Sequence, residues 1–459
     1  MRTHIGSSVL GAAAMLLLSG AAAGQIGPDV IAGDITGPSL WGTLNGMSAY
    51  SIGTSSCNVG DEDLLWDDET GDGTPANLHP LMSQNMFRLK NGRFEQIGQS
   101  WLKHAFFALN FNGLCSNSCV PSSLGGSALG PGCWDPYSSS LNGSQGGLGP
   151  KFEVNPATGA YPWPYTGDGQ TGNVLYKRIQ VLNSDLDPAL NPGALYFGEG
   201  QYVTPDDAAA GNQNNNATYR QMSVGSFSGG WQVNFTGSTQ RGKPGIQAWQ
   251  DNDPAVTMVA VDVPGDGRFW VAYKVSLNND GVTYHYEYAI QNLNSDRAAG
   301  GFSIPVGNGV TLTNVGFHDV DYHSGEPFDN TDWSSTETGT SIDWNSPNPF
   351  AVDPFSNALR WGTLYNFRFD ADTPPEAVTA TLDLFKPGTP STMSIPVMGP
   401  SAAFVCLADV NGDGMLDSSD FTSWIKAFNT NDPAADQNGD GQITPADFNA
   451  WVVNFNAGC

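Results

Sequence analysis

Basic side chains are scarce in this sequence: 18 Lys and Arg face 45 Asp and Glu among 459 residues, a formal net charge of −27. A surface that negative repels nucleic acid and anionic lipid, so neither is an expected partner. Charge as a whole is thin, at 14% of residues, whereas Gly, Asn, Ser and Pro abound. That balance excludes a solvated acidic tail and describes a turn-rich β protein. Long apolar runs are missing beyond the first 25 residues, so no later segment has the length of a transmembrane helix. Familiar catalytic signatures are missing too. There is no G-x-S-x-G, no H-E-x-x-H and no phosphate loop of the G-x-x-x-x-G-K-[ST] type.

What is present begins with Arg2, an apolar run from Val9 to Leu18 and the small residues Ala22-Ala23-Gly24. Residues 1–24 therefore read as a secretory signal peptide, and the run is too short to span a membrane. In an exported chain the six cysteines, Cys57, Cys115, Cys119, Cys133, Cys406 and Cys459, read as disulfides. Cys115-x3-Cys119 has no histidine following at zinc-site spacing, and the pairing of the first four stays open. Cys406 and Cys459 flank a duplicated unit described below and are expected to pair, a closure that contributes roughly 4 kcal/mol if unstrained.

Residues 25–245 read as a loop-rich, probable β region containing four of the cysteines. Within it Met86–Lys90 and Arg93–Ile97 flank Asn91-Gly92, a strong hairpin signal. Residues 246–386 read as a β-sandwich, either separate from the first region or one domain with it. In the run 269–277, Phe269, Val271, Tyr273, Val275 and Leu277 alternate with their neighbours, and period two marks a strand. Asn278-Asn279-Asp280-Gly281 then turns the chain into a partner strand over 282–290. Further strands are expected over 255–263, 301–306, 310–322, 360–369 and 378–385. Pro387, Pro390, Pro396 and Pro400 mark a linker over 387–404, before a small module at 405–459.

The module carries a repeat. DVNGDGMLDSSDF, Asp409 to Phe421, returns 27 residues later as DQNGDGQITPADF, Asp436 to Phe448. Carboxylates packed so closely repel one another unless a cation sits among them. Each copy supplies oxygen ligands at calcium-loop spacing. In the first, Asp409, Asn411 and Asp413 take positions 1, 3 and 5, with the Met415 carbonyl at 7, Asp417 at 9 and Asp420 at 12. In the second the set is Asp436, Asn438, Asp440, the Gln442 carbonyl, Thr444 and Asp447. Gly414 and Gly441 permit the sharp turn at position 6. The expected occupants are two Ca²⁺ ions, because hard oxygen donors in this number disfavour the stricter geometry of Mg²⁺. A capped helix should follow each loop, with apolar stripes Phe421, Trp424, Ile425, Phe428 and Phe448, Trp451, Val452, Phe455 facing each other.

Loop-plus-one-helix repeats of this kind, without a helix before the loop and with aspartate at position 12, resemble dockerin domains. Gly458-Cys459, together with Cys406 before the first loop, resembles the GC-type subset. The resemblance covers the last 54 residues or so and implies docking onto a cohesin-like domain on a scaffold or cell surface. It places Ser418 and Ser419 of the first copy, and Pro445 and Ala446 of the second, at positions that commonly touch the cohesin. It also implies that the attached body is often polysaccharide-active. The stretch YHYEYAIQNLNSDRAAGGFSIP resembles exported bacterial β-rich proteins and implies no chemistry.

For the body, the sequence supports an adhesive or glycan-binding protein, with a polysaccharide hydrolase as the alternative. The best local cluster is GFHDVDYHSGEPFDNTDW, Gly316 to Trp333. As a strand it would put Asp319, Asp321 and His323 on one face, a cation site or acid/base pair, or else simply an edge strand kept soluble by outward charges. A hydrolase needs two carboxylates in one cleft, and Glu95, Glu199, Glu287, Asp319 and Glu326 are the available members. Tyr284, Tyr286 and Tyr288 would form either an exposed aromatic row or part of the core.

Overall fold

The computed structural model describes residues 25–66, 73, 76–402 and 406–458. The expected signal peptide lies outside them, as does Cys459 and with it the expected Cys406–Cys459 bridge. The fold is mainly β, with a small helical module at the C-terminal end.

Among the described residues four large antiparallel sheets form the body, with a fifth, two-stranded one of Leu64–Leu65 and Ala128–Leu129. Sheet 1 joins Val30–Leu44, Met47–Asn58 and Ile179–Leu182, with Trp134–Tyr137 also on Met47–Asn58. Sheet 2 runs in the order Trp231–Phe235, Ala217–Phe227, Leu195–Val203, Leu81–Lys90, Leu102–His104, Leu148–Gly149, with Arg93–Gln99 also on Leu81–Lys90. Sheet 3 is Thr257–Asp262, Arg268–Leu277, Tyr284–Asn292, Thr363–Ala371, Leu312–His318, and sheet 4 is Ser334–Glu337, Ser341–Asn345, Ala299–Pro305, Pro375–Leu384, Thr392–Pro400.

Period-two alternation sets the stacking. In Leu81–Lys90, Met86 joins Ile35, Tyr50, Ile52 and Val181 in a core between sheets 1 and 2. The next residue, Phe87, points the other way, into a cluster with Phe94, Phe197, Trp249, Ala289 and Leu364 between sheets 2 and 3. In Tyr284–Asn292, Ala289 faces that cluster, whereas Tyr286, Tyr288 and Ile290 face Phe302, Ile304, Trp344 and Leu382 between sheets 3 and 4. The two sandwiches thus share a seam and make four layers. Tyr286 and Tyr288 are fully buried core residues whose hydroxyls donate to the carbonyls of Thr373 and Met398, so they form no exposed row.

The seam is polar as well as aromatic. Glu199 is fully buried and accepts from Asn85 Nδ2 at 2.7 Å, Gln291 Nε2 at 2.8 Å and the Gly245 N–H. Arg93 Nε donates to both oxygens of Glu287 at 3.0 and 2.9 Å. These bonds tie sheet 2 to sheet 3 without leaving the buried carboxylates unpaired.

Two expectations are corrected. The proline-rich stretch is no linker through its length: Thr392–Pro400 pairs with Pro375–Leu384 along its full run and closes the edge of sheet 4, burying Ile395 and Val397. Proline fits there because an edge strand needs donors on one side only. The strand expected over 310–322 ends at His318. Asp319 to His323 leave the sheet and cross to sheet 2. Two disulfides, Cys57–Cys115 and Cys119–Cys133, settle the first four cysteines and pin the loop between residues 105 and 135 onto sheet 1.

Candidate functional sites

The duplicated module is built as the pattern demands. Helices Ser418–Thr430 and Pro445–Ala457 each begin with a capping box, Asp417 with Asp420 and Thr444 with Asp447. In the first loop Asp409 accepts from the N–H groups of Gly412 and Gly414, both at 2.8 Å. In the second, Asp436 accepts from Gly439 at 2.9 Å and Gly441 at 2.8 Å. Gly414 and Gly441 have φ of +77° and +78°, the conformation that favours glycine at the turn.

The two copies interlock. Trp424 Nε1 donates to the Ala435 carbonyl at 3.2 Å, just before the second loop, and Trp451 Nε1 donates to the Ala408 carbonyl at 3.1 Å, just before the first. Each helix therefore holds the other copy's loop, as a twofold axis between them requires. The core is Trp424, Trp451, Ala427, Ala408 and Ala435, with Phe428, Val452 and Phe455 packed on it. Ile425, expected in the stripe, is 40% exposed, and Ala427 takes its place. The bulk of the two indoles lets a small residue complete the contact.

Asp420 and Asp447 at position 12 are fully buried; Asp420 accepts from the N–H groups of Asn411 and Asp417, and Asp447 from those of Gln437, Asn438 and Thr444 and from the Thr444 hydroxyl. No three His, Cys, Asp or Glu side chains among the described residues gather closely enough to hold an ion by themselves. A cation here would also draw on the amide oxygens of Asn411 or Asn438 and the carbonyls of Met415 or Gln442. This all-oxygen set suits calcium. Ser418 and Ser419 are exposed, but the Ser419 hydroxyl accepts from Asn411 Nδ2 at 2.7 Å, a bond that Ala446 cannot reproduce in the second copy.

A cleft of about 360 Å³ opens where the segment after His318 crosses sheet 2. Met47, Ile97, Leu182 and Val320 give it apolar walls, and Asp185, His318, Asp319 and Asp321 give it polar ones. Gln96 and Gln180 come from distant strands and Asp185 from the short helix Asn183–Leu186, and none had a local signal in the sequence. Burial pushes the Asp319 carboxyl up to about 6, against the Asn357 amide that donates to it at 2.6 Å. His323 sits in a neutral tautomer: Nε2 donates to the Gln99 carbonyl at 2.8 Å and Nδ1 accepts from Gln180 at 3.0 Å. Burial lowers this imidazole to about 4. Trp101 Nε1 donates to the His323 carbonyl at 3.1 Å, and Glu326 accepts from the N–H of Phe152 at 3.2 Å and of Lys151. Through these bonds the segment from Asp319 to Glu326 forms a strap across the seam.

The other carboxylates are held by structural partners. Glu95 pairs with Arg88 at 2.7 Å, Glu287 with Arg93, and Glu199 and Glu326 accept as described. The structure brings none of Glu95, Glu199, Glu287 or Glu326 to the lining of the cleft. Only Asp319 of the five stands there.

Two capped helices, each preceded by an oxygen-rich loop and each gripping the other copy's loop, define a duplicated EF-hand-like module. Residues 407–452 match the model of the dockerin type I domain, and the C-terminal module is a dockerin domain. Dockerin domains bind calcium and dock onto cohesins, which supports calcium and a cohesin partner for this module. They are generally extracellular, which the two disulfides fit, and no helix among the described residues is long and apolar enough to cross a membrane. No curated protein matches the chain. Among solved structures, a serine-rich repeat adhesion glycoprotein from Streptococcus agalactiae aligns at 7% identity over 80% of this chain and 97% of that one, with a TM-score of 0.19. A likeness that slight carries no argument.

Proposed function

We propose that this is an exported protein whose dockerin module binds two Ca²⁺ ions and anchors a four-layer β body, adhesive or glycan-binding, to a cohesin-like receptor on a scaffold or cell surface. The reciprocal tryptophan bonds carry the anchoring half, because they make two loop–helix copies into one docking unit. The ligand set is Asp409, Asn411, Asp413, Met415, Asp417 and Asp420, with Asp436, Asn438, Asp440, Gln442, Thr444 and Asp447 in the second loop. Cohesin contact falls on the first helix through Ser418 and Ser419, whose hydroxyls donate and accept where Pro445 and Ala446 offer none. Ser418→Ala with Ser419→Ala should weaken cohesin binding in calcium strongly, and Pro445→Ser with Ala446→Ser should leave it near wild type. Equal losses from both pairs would disprove a single orientation.

For the body, the binding reading is favoured by the carboxylates themselves: four of the five candidate catalytic acids are committed to structural bonds and do not line the cleft. Retention of the full-length protein by an insoluble polysaccharide, without release of reducing ends, is the test. The hydrolase reading rests on Asp319, whose raised carboxyl in the cleft has the character of a general acid. Reducing-end release that disappears in Asp319→Asn would establish it instead.

A further inference from the structure

A second concavity, about 300 Å³, lies on the outward face of sheet 1, away from the seam and its cleft. Strand register builds its floor. Asp34 pairs with Ser55 across one strand boundary and Ser55 with Pro136 across the next, so the three stand abreast. Trp134 and Leu114 wall it, and Thr36 and Ser138 add hydroxyls at its edge. The Cys57–Cys115 bridge fixes the loop that carries Leu114, and Arg241 Nη2 donates to the Leu114 carbonyl at 3.3 Å. Trp134 is held by its own Nε1, which donates to the Asn112 carbonyl at 3.1 Å, and by the Phe111 ring 5.5 Å from it. The Asp34 carboxylate is oriented through Oδ1, which accepts from the Ile35 N–H at 2.9 Å and from the Thr239 hydroxyl, leaving Oδ2 outside those bonds.

We infer that this groove binds one pyranose unit of an uncharged polysaccharide. The inference rests on the glycan-binding reading and names its site. The indole and leucine of the wall and the proline ring of the floor match the C–H face of a sugar, and the carboxylate and hydroxyls beside them match its O–H groups. The fixed loop lowers the ordering cost of binding. A formal net charge of −27 opposes the approach of a polyanion, which selects the uncharged class.

The test is affinity electrophoresis of the full-length protein in calcium, through gels containing a soluble neutral β-glucan, a galactomannan or polygalacturonate. A neutral polymer should retard the protein. Trp134→Ala should weaken the association by about tenfold or more, as loss of a central aromatic anchor does, and Asp34→Asn should weaken it by a smaller factor. Asp319→Asn reports on the cleft as the competing site. Near-ultraviolet circular dichroism separates a lost contact from a lost fold in Trp134→Ala, and Asp34→Asn supplies an independent reading from the floor. Unchanged retardation in both groove variants overturns the site and leaves the glycan-binding reading standing, and loss in Asp319→Asn moves that site to the cleft. Preference for polygalacturonate overturns the uncharged class. No retardation by any polymer removes the site and the reading together.

Discussion

At the scale of single residues, the seam depends on groups whose role only their surroundings reveal. Glu199 is an ordinary acid in the sequence, yet three donors converge on it from sheet 2, sheet 3 and the segment between them. Glu199→Ala strands those donors in a dry interior and should lower the free energy of unfolding by about 3 kcal/mol, measured by urea titration. A loss near zero would show that the seam stands without it. His323 makes the opposite kind of statement. Its folded pKa, about 4, lies below the ordinary imidazole value of 6.5, so the unfolded chain takes up the proton first. The stability it contributes is whole above the unfolded value and is lost as pH falls toward 4, about 3 kcal/mol in all. Glu326 on the same strap runs the other way: burial raises it to about 7, so its contribution is present at low pH and is lost as pH rises through 7. His323→Gln should therefore shrink the difference in melting temperature between pH 7 and pH 4.5. An unaltered difference would place the acid-sensitive group elsewhere.

At the scale of elements, the dockerin module was the most legible part of the chain. Loop ligands, caps and apolar spacing are all local, lying within a dozen residues of one another, and the capping boxes formed as the spacing predicts. The module should gain helix on adding Ca²⁺ to residues 402–459 and lose it in chelator, because its clustered aspartates repel and its core is small. Circular dichroism unchanged by chelator would contradict that. The first loop, with four carboxylates in its set against three in the second, should fill first in a calorimetric titration. Peptide mapping without reductant should join Cys406 to Cys459, since the other four cysteines pair among themselves. Strands with clean alternation were legible too: the expected run 269–277 is found as Arg268–Leu277 and the Asn91-Gly92 hairpin as Leu81–Lys90 with Arg93–Gln99. What alternation did not tell was which face mattered. Tyr286 and Glu287 are both buried, one in a core and one in a seam, because sheet 3 is covered on both sides.

At the scale of the whole molecule, the last strand of the body ends at Pro400, and Ser401 still bonds to Thr373 and Pro374. A chain cut after residue 391 loses the edge strand of sheet 4 and the buried Ile395 and Val397, whereas one cut after 402 keeps them. Residues 25–402 should unfold cooperatively near the temperature of the body in the full chain, and residues 25–391 should be insoluble or melt far lower, as followed by calorimetry. Equal melting of the two would return the proline-rich stretch to the role of a linker. The strap from Asp319 to Glu326 belongs to this scale as well, since it secures one sandwich to the other.

The sequence by itself determined the charge, the compartment suited to its cysteines, the β character of the body and the turns and capped helices of the dockerin repeats, because each rests on composition or on neighbours along the chain. Tertiary structure alone decided that two sandwiches share a polar seam, that Asp319 meets Asp185 in a cleft, and that Asp34, Ser55 and Pro136 stand in one row. Those residues lie tens to hundreds of positions apart, and only strand register and layer stacking bring them together. Period two states that a side chain points to one face or the other; what waits on that face is set by a different part of the chain.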